Sequence, residues 1–192
     1  MKANIILQTA LNHFAKEGYE GASLGNIAQE VGIKKPSIYA HYASKDDLFL
    51  SALHYAVHTQ KARLASYFRD AQEQPLEELL FGYFSWFAKE SEENEMMTFI
   101  LRMAYFPPLK LEKEVNAVFD PFFEDLHRHL ARLLRERHKR EQVLYNDDFE
   151  SLALSYMTLA EASMIDLVYS SYAFYERRVH AVWPVFWRGM TR

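Results

Sequence analysis

Between Gly32 and Lys45 the chain reads GIKKPSIYAHYASK, with three lysines and no acid, although the formal net charge of the protein is −4. Lysines neutralise phosphates, and serine, histidine and tyrosine hydrogen-bond to base edges or to phosphate oxygens, so the window carries chemistry suited to a nucleic acid. Spacing sharpens this. Lys34, Ser37 and His41 stand at i, i+3 and i+7 and share one face of a helix near residues 35–42, while Ile38 and Tyr42 share another. Pro36 suits the first turn of that helix, where a missing N–H costs nothing. The Ile38 side reads as core and takes Tyr42 with it. Tyr39, one position off that face, reads as a phosphate contact.

Two helices must hold this face in place. The first spans residues 2–17, with Leu7, Ala10, Leu11 and Phe14 as its apolar stripe and Gly18 as its stop. Ser23 has the character of an N-cap for the second, in which Leu24, Ile27, Ala28 and Val31 repeat the stripe and Gly32 ends it. Three short helices around one small core, with polar groups left facing out on the third, form a helix-turn-helix head of the kind that enters the major groove. Ser44 then caps a fourth helix from 45 to about 70. Asp46 and Asp47 favour its dipole, whereas Lys45 opposes it and is free to reach a phosphate.

The segment ILQTALNHFAKEGYEGASLGNIAQEVGIKKPSIYAHYASKDDLF resembles the DNA-binding region of the TetR family of bacterial one-component regulators. The matching positions, in order, are Phe14, Gly18-Tyr19, Ser23, Ile27-Ala28, Val31-Gly32-Ile33, Tyr39, Tyr42, Ser44-Lys45 and Leu48. The resemblance implies an all-helical homodimer whose C-terminal domain binds a small molecule. It also implies that Lys35, Pro36, Ser37, Tyr39, Ala40 and His41 lie at or near double-stranded DNA, with Lys45 on a phosphate. Lys34, on the same outer face, and the cap Ser23 complete the expected DNA-binding set. Gly25 stands where many relatives have a longer polar side chain, and Ala40 offers only a methyl group, suited to a thymine methyl.

The remaining chain reads as all-α, with helices near 76–92, 95–105, 111–139, 147–170 and 173–190, about nine in total, and with Pro184 expected to kink the last helix or mark a break near its end. Its expected division is a DNA-binding domain at 1–47 and a ligand-binding and dimerisation domain at 48–192. Residues 1–47 hold five lysines against five acids, so any DNA contact uses local charge, and the rest of the chain carries the −4. No cysteine is present, which excludes disulfides, cysteine-based zinc sites and a thiol nucleophile. The N-terminus lacks the continuous apolar core of a signal peptide, and Glu161 and Asp166 interrupt the most apolar stretch, so a cytoplasmic protein outside the membrane is expected.

Residues 81–123 hold eleven aromatics. Most must be core; a subset (Trp86, Phe87, Phe99, Met103, Phe106, Phe122 and Phe123) is expected to line a site for a lipophilic or aromatic effector. Tyr156, Leu159, Ser163, Val179, Trp183, Phe186 and Trp187, on the last two helices, are expected to form a two-fold dimer interface. His54 and His58 stand four apart, but without a fixed carboxylate they do not make a metal site, and no cofactor is expected. The expected function is therefore a ligand-responsive dimeric repressor on a palindromic operator, with the fourth helix as lever. A small helical enzyme using the aromatic cavity is the alternative, with no nucleophile or phosphate loop to support it, and a DNA-binding protein without an effector is another.

Overall fold

A computed structural model describes residues 2–191, apart from the side chain of Glu93. Its described elements are nine α-helices and one 3-10 turn: α1 Lys2–Gly21, α2 Leu24–Val31, α3 Lys35–Ile38, α4 Lys45–Asp70, α5 Leu76–Glu93, α6 Glu95–Tyr105, the 3-10 turn Leu109–Leu111, α7 Glu112–Glu141, α8 Phe149–Tyr169 and α9 Tyr172–Met190. The sole bridge of β type among the described residues pairs Leu144 with Thr191.

The helices pack as two units. One combines residues up to Ala62 with Glu93–Asp120; the other combines Arg63–Glu92 with residues from Pro121 onward. This division differs from a linear boundary at 47/48, because α6 packs with the N-terminal helices.

In the first unit, Ile6, Ala10, Leu11 and Phe14 of α1 meet Leu24, Ile27 and Ala28 of α2, Ile38 of α3 and Leu48, Phe49 and Leu53 of α4, all buried. Leu7, expected in the α1 stripe, is half-buried, and Ile6 takes the deeper place. Phe49 stands edge-on to both Phe14 and Phe99, at 5.1 and 5.7 Å between ring centres. Two polar contacts fasten α6 to α1: the Arg102 guanidinium donates to the Ala15 carbonyl at 2.6 Å, and Lys16 pairs with Glu95 at 2.9 Å.

In the second unit, three tyrosine hydroxyls donate to main-chain carbonyls of α5: Tyr67 to Leu79 at 2.6 Å, Tyr156 to Leu80 at 2.8 Å and Tyr175 to Phe84 at 2.8 Å. Each lets a large ring enter the core without leaving a buried hydroxyl unpaired. Gly82 allows the first of these, since a Cβ there would stand 3.0 Å from the Tyr67 oxygen. Buried Arg137 donates to the carbonyls of Gln72 and Gln74, while Glu141 accepts from the Leu76 N–H at 3.0 Å and so caps the start of α5. Asp166 is buried, with Arg178 Nη1 at 2.7 and 2.8 Å from its two oxygens, which fixes α9 on α8.

Neither proline inside a long helix, Pro121 in α7 or Pro184 in α9, ends it; α9 stays helical to Met190. One lost hydrogen bond in each is outweighed by the packed turns around it, such as buried Val179 and Trp183. By length and composition α8 could cross a membrane. Here, however, it carries the hydroxyl of Tyr156 and the Asp166–Arg178 pair on its packed face.

Candidate nucleic-acid interface

The outward face of the head is built by helix ends. Gly18 breaks α1 with φ 73° and ψ 177°, and the chain makes one more turn to Gly21. That left-handed angle is open to glycine at no steric cost. Ser23, extended at φ −115°, starts α2 and accepts from the Gly25 N–H at 3.1 Å. Gly32 ends α2 in the left-handed region at φ 75°, and its N–H and that of Ile33 return to carbonyls of the last turn. His13 links the two helices, one ring nitrogen 2.7 Å from Glu17 and the other 2.9 Å from Glu30.

From this support α3 projects. Lys34, Lys35, Pro36, Ser37, Tyr39, Ala40 and His41 are all exposed, whereas Ile38 is fully buried. Tyr39 is 50% exposed, a large ring left in solvent where a surface ligand can meet it. The expected helix over 35–42 is shorter: regular turns end at Ile38, and the N–H groups of His41 and Tyr42 both return to the Ile38 carbonyl. That shared acceptor tightens the chain into a turn and frees Ser44 to cap the next helix. Tyr42 is half-buried and donates to the Ala3 carbonyl at 3.0 Å, and burial pushes its hydroxyl pKa up.

At the start of α4, the Asp47 N–H donates to Ser44 Oγ at 3.0 Å, and the Asp47 carboxylate accepts from the Ala43 N–H at 2.7 Å. This is a reciprocal cap with its return bond one residue earlier than the usual box. Lys45 is not loose. Its amine lies 4.6 Å from the Tyr19 ring centre and donates to the Glu20 carbonyl at 3.3 Å. Asp46 accepts from the Tyr19 hydroxyl and, at 2.6 Å, from the Lys110 amine. The Lys110 amine above all, and then the Tyr19 hydroxyl, hold the Asp46 carboxyl below its usual range. Tyr19 itself is pushed upward by burial and by Asp46. Lys110 and Arg102 are contributions that residue spacing did not reveal, since each meets the head from far along the chain. Gly18-Tyr19 was the visible signal for Tyr19.

The expected effector residues fall in both units. Phe99 and Met103 are buried in the first, Phe99 against Phe14 and Phe49, and are part of that core. Phe106, also in the first, is 60% exposed. In the second, Phe87 is buried, and Phe122 and Phe123 are half-buried and edge-on at 5.4 Å. Trp86 does line an open cleft of about 440 Å³, with Arg63, Tyr67, Asp70, Gln74 and Glu90 among its walls. Tyr67 and Trp86 lie ring against ring at 5.1 Å, and Arg63 pairs with Glu90 at the cleft.

The expected interface set also divides. Tyr156, Ser163, Val179 and Trp183 are buried within the chain's own core, and Leu159, Phe186 and Trp187 are half-buried. Tyr156, Ser163 and Trp183 have hydroxyl or ring partners within the chain, and Val179 is buried there. Helical periodicity identifies an apolar face but not what covers it. The open face of α8 instead carries Leu154, Thr158 and Ala162, and that of α9 carries Val182, Val185 and Gly189. His54 and His58 are exposed, and among the described residues no three of His, Cys, Asp and Glu gather as metal ligands would.

Residues 6–52 match the family described as bacterial regulatory proteins, tetR family. An uncharacterised HTH-type transcriptional regulator of Bacillus subtilis, YerO, is 33% identical over 79 residues, covering 41% of this chain and 27% of that one. The biofilm operon negative regulator IcaR of Staphylococcus epidermidis is 39% identical over 44 residues, 23% of this chain and 24% of IcaR. The chain thus spans only about a quarter of these curated relatives. A TetR-family regulator from Agrobacterium tumefaciens shares the fold throughout, with a TM-score of 0.74, 20% identity, and coverage of 100% of this chain and 98% of that one. The head, residues 6–52, thus matches the tetR family of bacterial regulatory proteins, and the chain as a whole shares the fold of a solved TetR-family regulator.

Proposed function

We propose that the protein is a homodimeric transcriptional regulator, a repressor, that binds a palindromic operator through α3 and is released by a small-molecule effector. The observation that carries this is the exposed face Lys34, Lys35, Ser37, Tyr39 and His41, backed by fully buried Ile38 and set by the left-handed Gly32. Such a face offers cations for phosphates and neutral donors for base edges, and no carboxylate lies within it. Ser23, Pro36 and Ala40 lie at its margin, and Lys45 at the start of α4 supplies a further phosphate contact. IcaR, a negative regulator by name, matches within the same segment and supports repression.

Dimerisation uses the open face of α8 and α9. Leu154 is 51% and Val185 64% exposed, apolar surface that a second copy would cover. A two-fold pairing of these helices makes a four-helix interface and presents two heads to half-sites about 34–36 Å apart, or a multiple of it. The effector has an aromatic or apolar body. The cleft beside Tyr67 and Trp86 suits a flat ring, with Arg63 and Glu90 available to a polar substituent. It releases DNA only to the extent that it binds the released state more tightly. Such a regulator acts in the cytoplasm and needs neither a membrane nor a cofactor.

The test is selection of bound duplexes from a random-sequence pool by the purified protein. Enrichment of a palindrome supports the reading. A pool that stays random at every salt concentration contradicts it.

A further inference from the structure

The first turn of α4, the helix that follows α3 in the chain, holds two carboxylates, Asp46 and Asp47. Both suit the helix dipole, but both oppose an approaching polyanion. Asp47 is engaged by the Ala43 N–H, which carries no net charge. Asp46 has two partners of different kinds. The Tyr19 hydroxyl satisfies one oxygen without altering the charge, and the Lys110 amine, 2.6 Å from the other, cancels it. Lys45, the nearest cation in sequence, is directed instead to the Glu20 carbonyl and the Tyr19 ring. The neutralising charge therefore comes from the 3-10 turn after α6, 64 residues away, in the same packing unit as the head.

We propose that Lys110 is a positioning residue for DNA binding: paired with Asp46, it masks one of the two carboxylates at the start of α4, so that Lys34, Lys35 and Lys45 act on phosphate against one opposing charge fewer. The inference rests on the proposed DNA-binding function and deepens it, since it adds to the head a residue outside the helix-turn-helix segment. Lys110 acts through Asp46 and not by touching DNA. Removing the lysine unmasks an anion, and removing the carboxylate makes the lysine dispensable. Because the unmasked charge is only half-buried, its repulsion is screened by salt and is largest at low ionic strength.

The experiment is a double-mutant cycle, read by fluorescence anisotropy on a mixed-sequence DNA duplex at low and moderate salt. Phosphate electrostatics do not depend on sequence, so no operator is required. Lys110→Ala should bind roughly two- to fivefold more weakly than wild type, the range set by exposed charge pairs. Lys110→Arg should bind as wild type does. Asp46→Asn keeps an acceptor for Tyr19 and should bind at least as tightly as wild type, and adding Lys110→Ala to it should change nothing. Thermal unfolding of each variant, expected to match wild type, separates lost masking from lost folding. An equal loss in both backgrounds would make Lys110 a direct phosphate contact and overturn the masking role, and so would no loss in either. A wild type that binds no DNA sinks the functional reading and this inference together; a wild type that binds, with a flat cycle, sinks this inference alone.

Discussion

The Lys45 amine lies over the ring of Tyr19, 4.6 Å from its centre, and donates to the carbonyl of Glu20 at 3.3 Å. The first residue of α4 is thereby anchored to the broken end of α1. An ammonium has three donors, and the anchor uses one, so a phosphate oxygen can be added without losing it. Held in place, the side chain gives up less freedom on binding DNA than a loose lysine does.

Lys45→Ala should therefore weaken binding to all DNA sequences about equally and lower the log-log salt slope by about one. Titrations at several salt concentrations, on two unrelated duplexes, measure both quantities. A loss confined to one duplex would mean that Lys45 reads bases.

Gly32 should tolerate a side chain badly for conformational reasons alone. Its φ is 75°, and a Cβ there would meet nothing within 4 Å. Gly32→Ala is expected to cost about 1–2 kcal/mol, the steric penalty of a left-handed angle, with no clash added. Urea unfolding gives the number. A change within error of zero would show that the α2–α3 turn shifts to another conformation.

Burial raises the Tyr67 hydroxyl from an ordinary value of 10.0 to about 12. The folded state then holds this proton more tightly than the unfolded state. Stability from this group is complete below about pH 10 and is lost as pH rises from there towards 12. The alkaline limb of the stability curve should be shallower in Tyr67→Phe than in wild type. Thermal melts across that range decide it, and identical limbs would place the alkaline sensitivity elsewhere.

Val185→Glu should leave each subunit folded and convert dimers to monomers, because its side chain faces solvent in the single subunit. Trp183→Glu, by contrast, should unfold the second unit, since that ring is buried against Phe84 and Trp187. Sedimentation and circular dichroism distinguish the two. A dimeric Val185→Glu protein would remove α9 from the interface.

The head was legible in the sequence because local rules govern it. Ser23, Gly32 and Ser44 act within a few residues of themselves, and they stand where capping chemistry requires. The end of α3 was less legible, since a helix and a tightened turn offer the same residues outward. What spacing could not convey was cover. Phe99, Tyr156 and Trp183 each belong to an apolar stripe, but whether a stripe meets its own chain, a ligand or a second copy depends on helices far away in sequence. Phe99 meets Phe14 and Phe49, and Tyr156 donates to Leu80. Lys110 is the clearest case, because nothing near it indicates Asp46.

Binding of the DNA backbone and bases by the exposed face of α3 is what the proposed regulatory role requires. Its most direct test is an anisotropy titration of one duplex, at several salt concentrations, with wild type and with the Lys34→Ala/Lys35→Ala double variant. Wild type should bind with an affinity that falls steeply with salt, and the double variant should bind more weakly with a slope reduced by about two if both amines contact phosphate. Wild-type binding that is absent or insensitive to salt, or a double variant that binds undiminished, would contradict it.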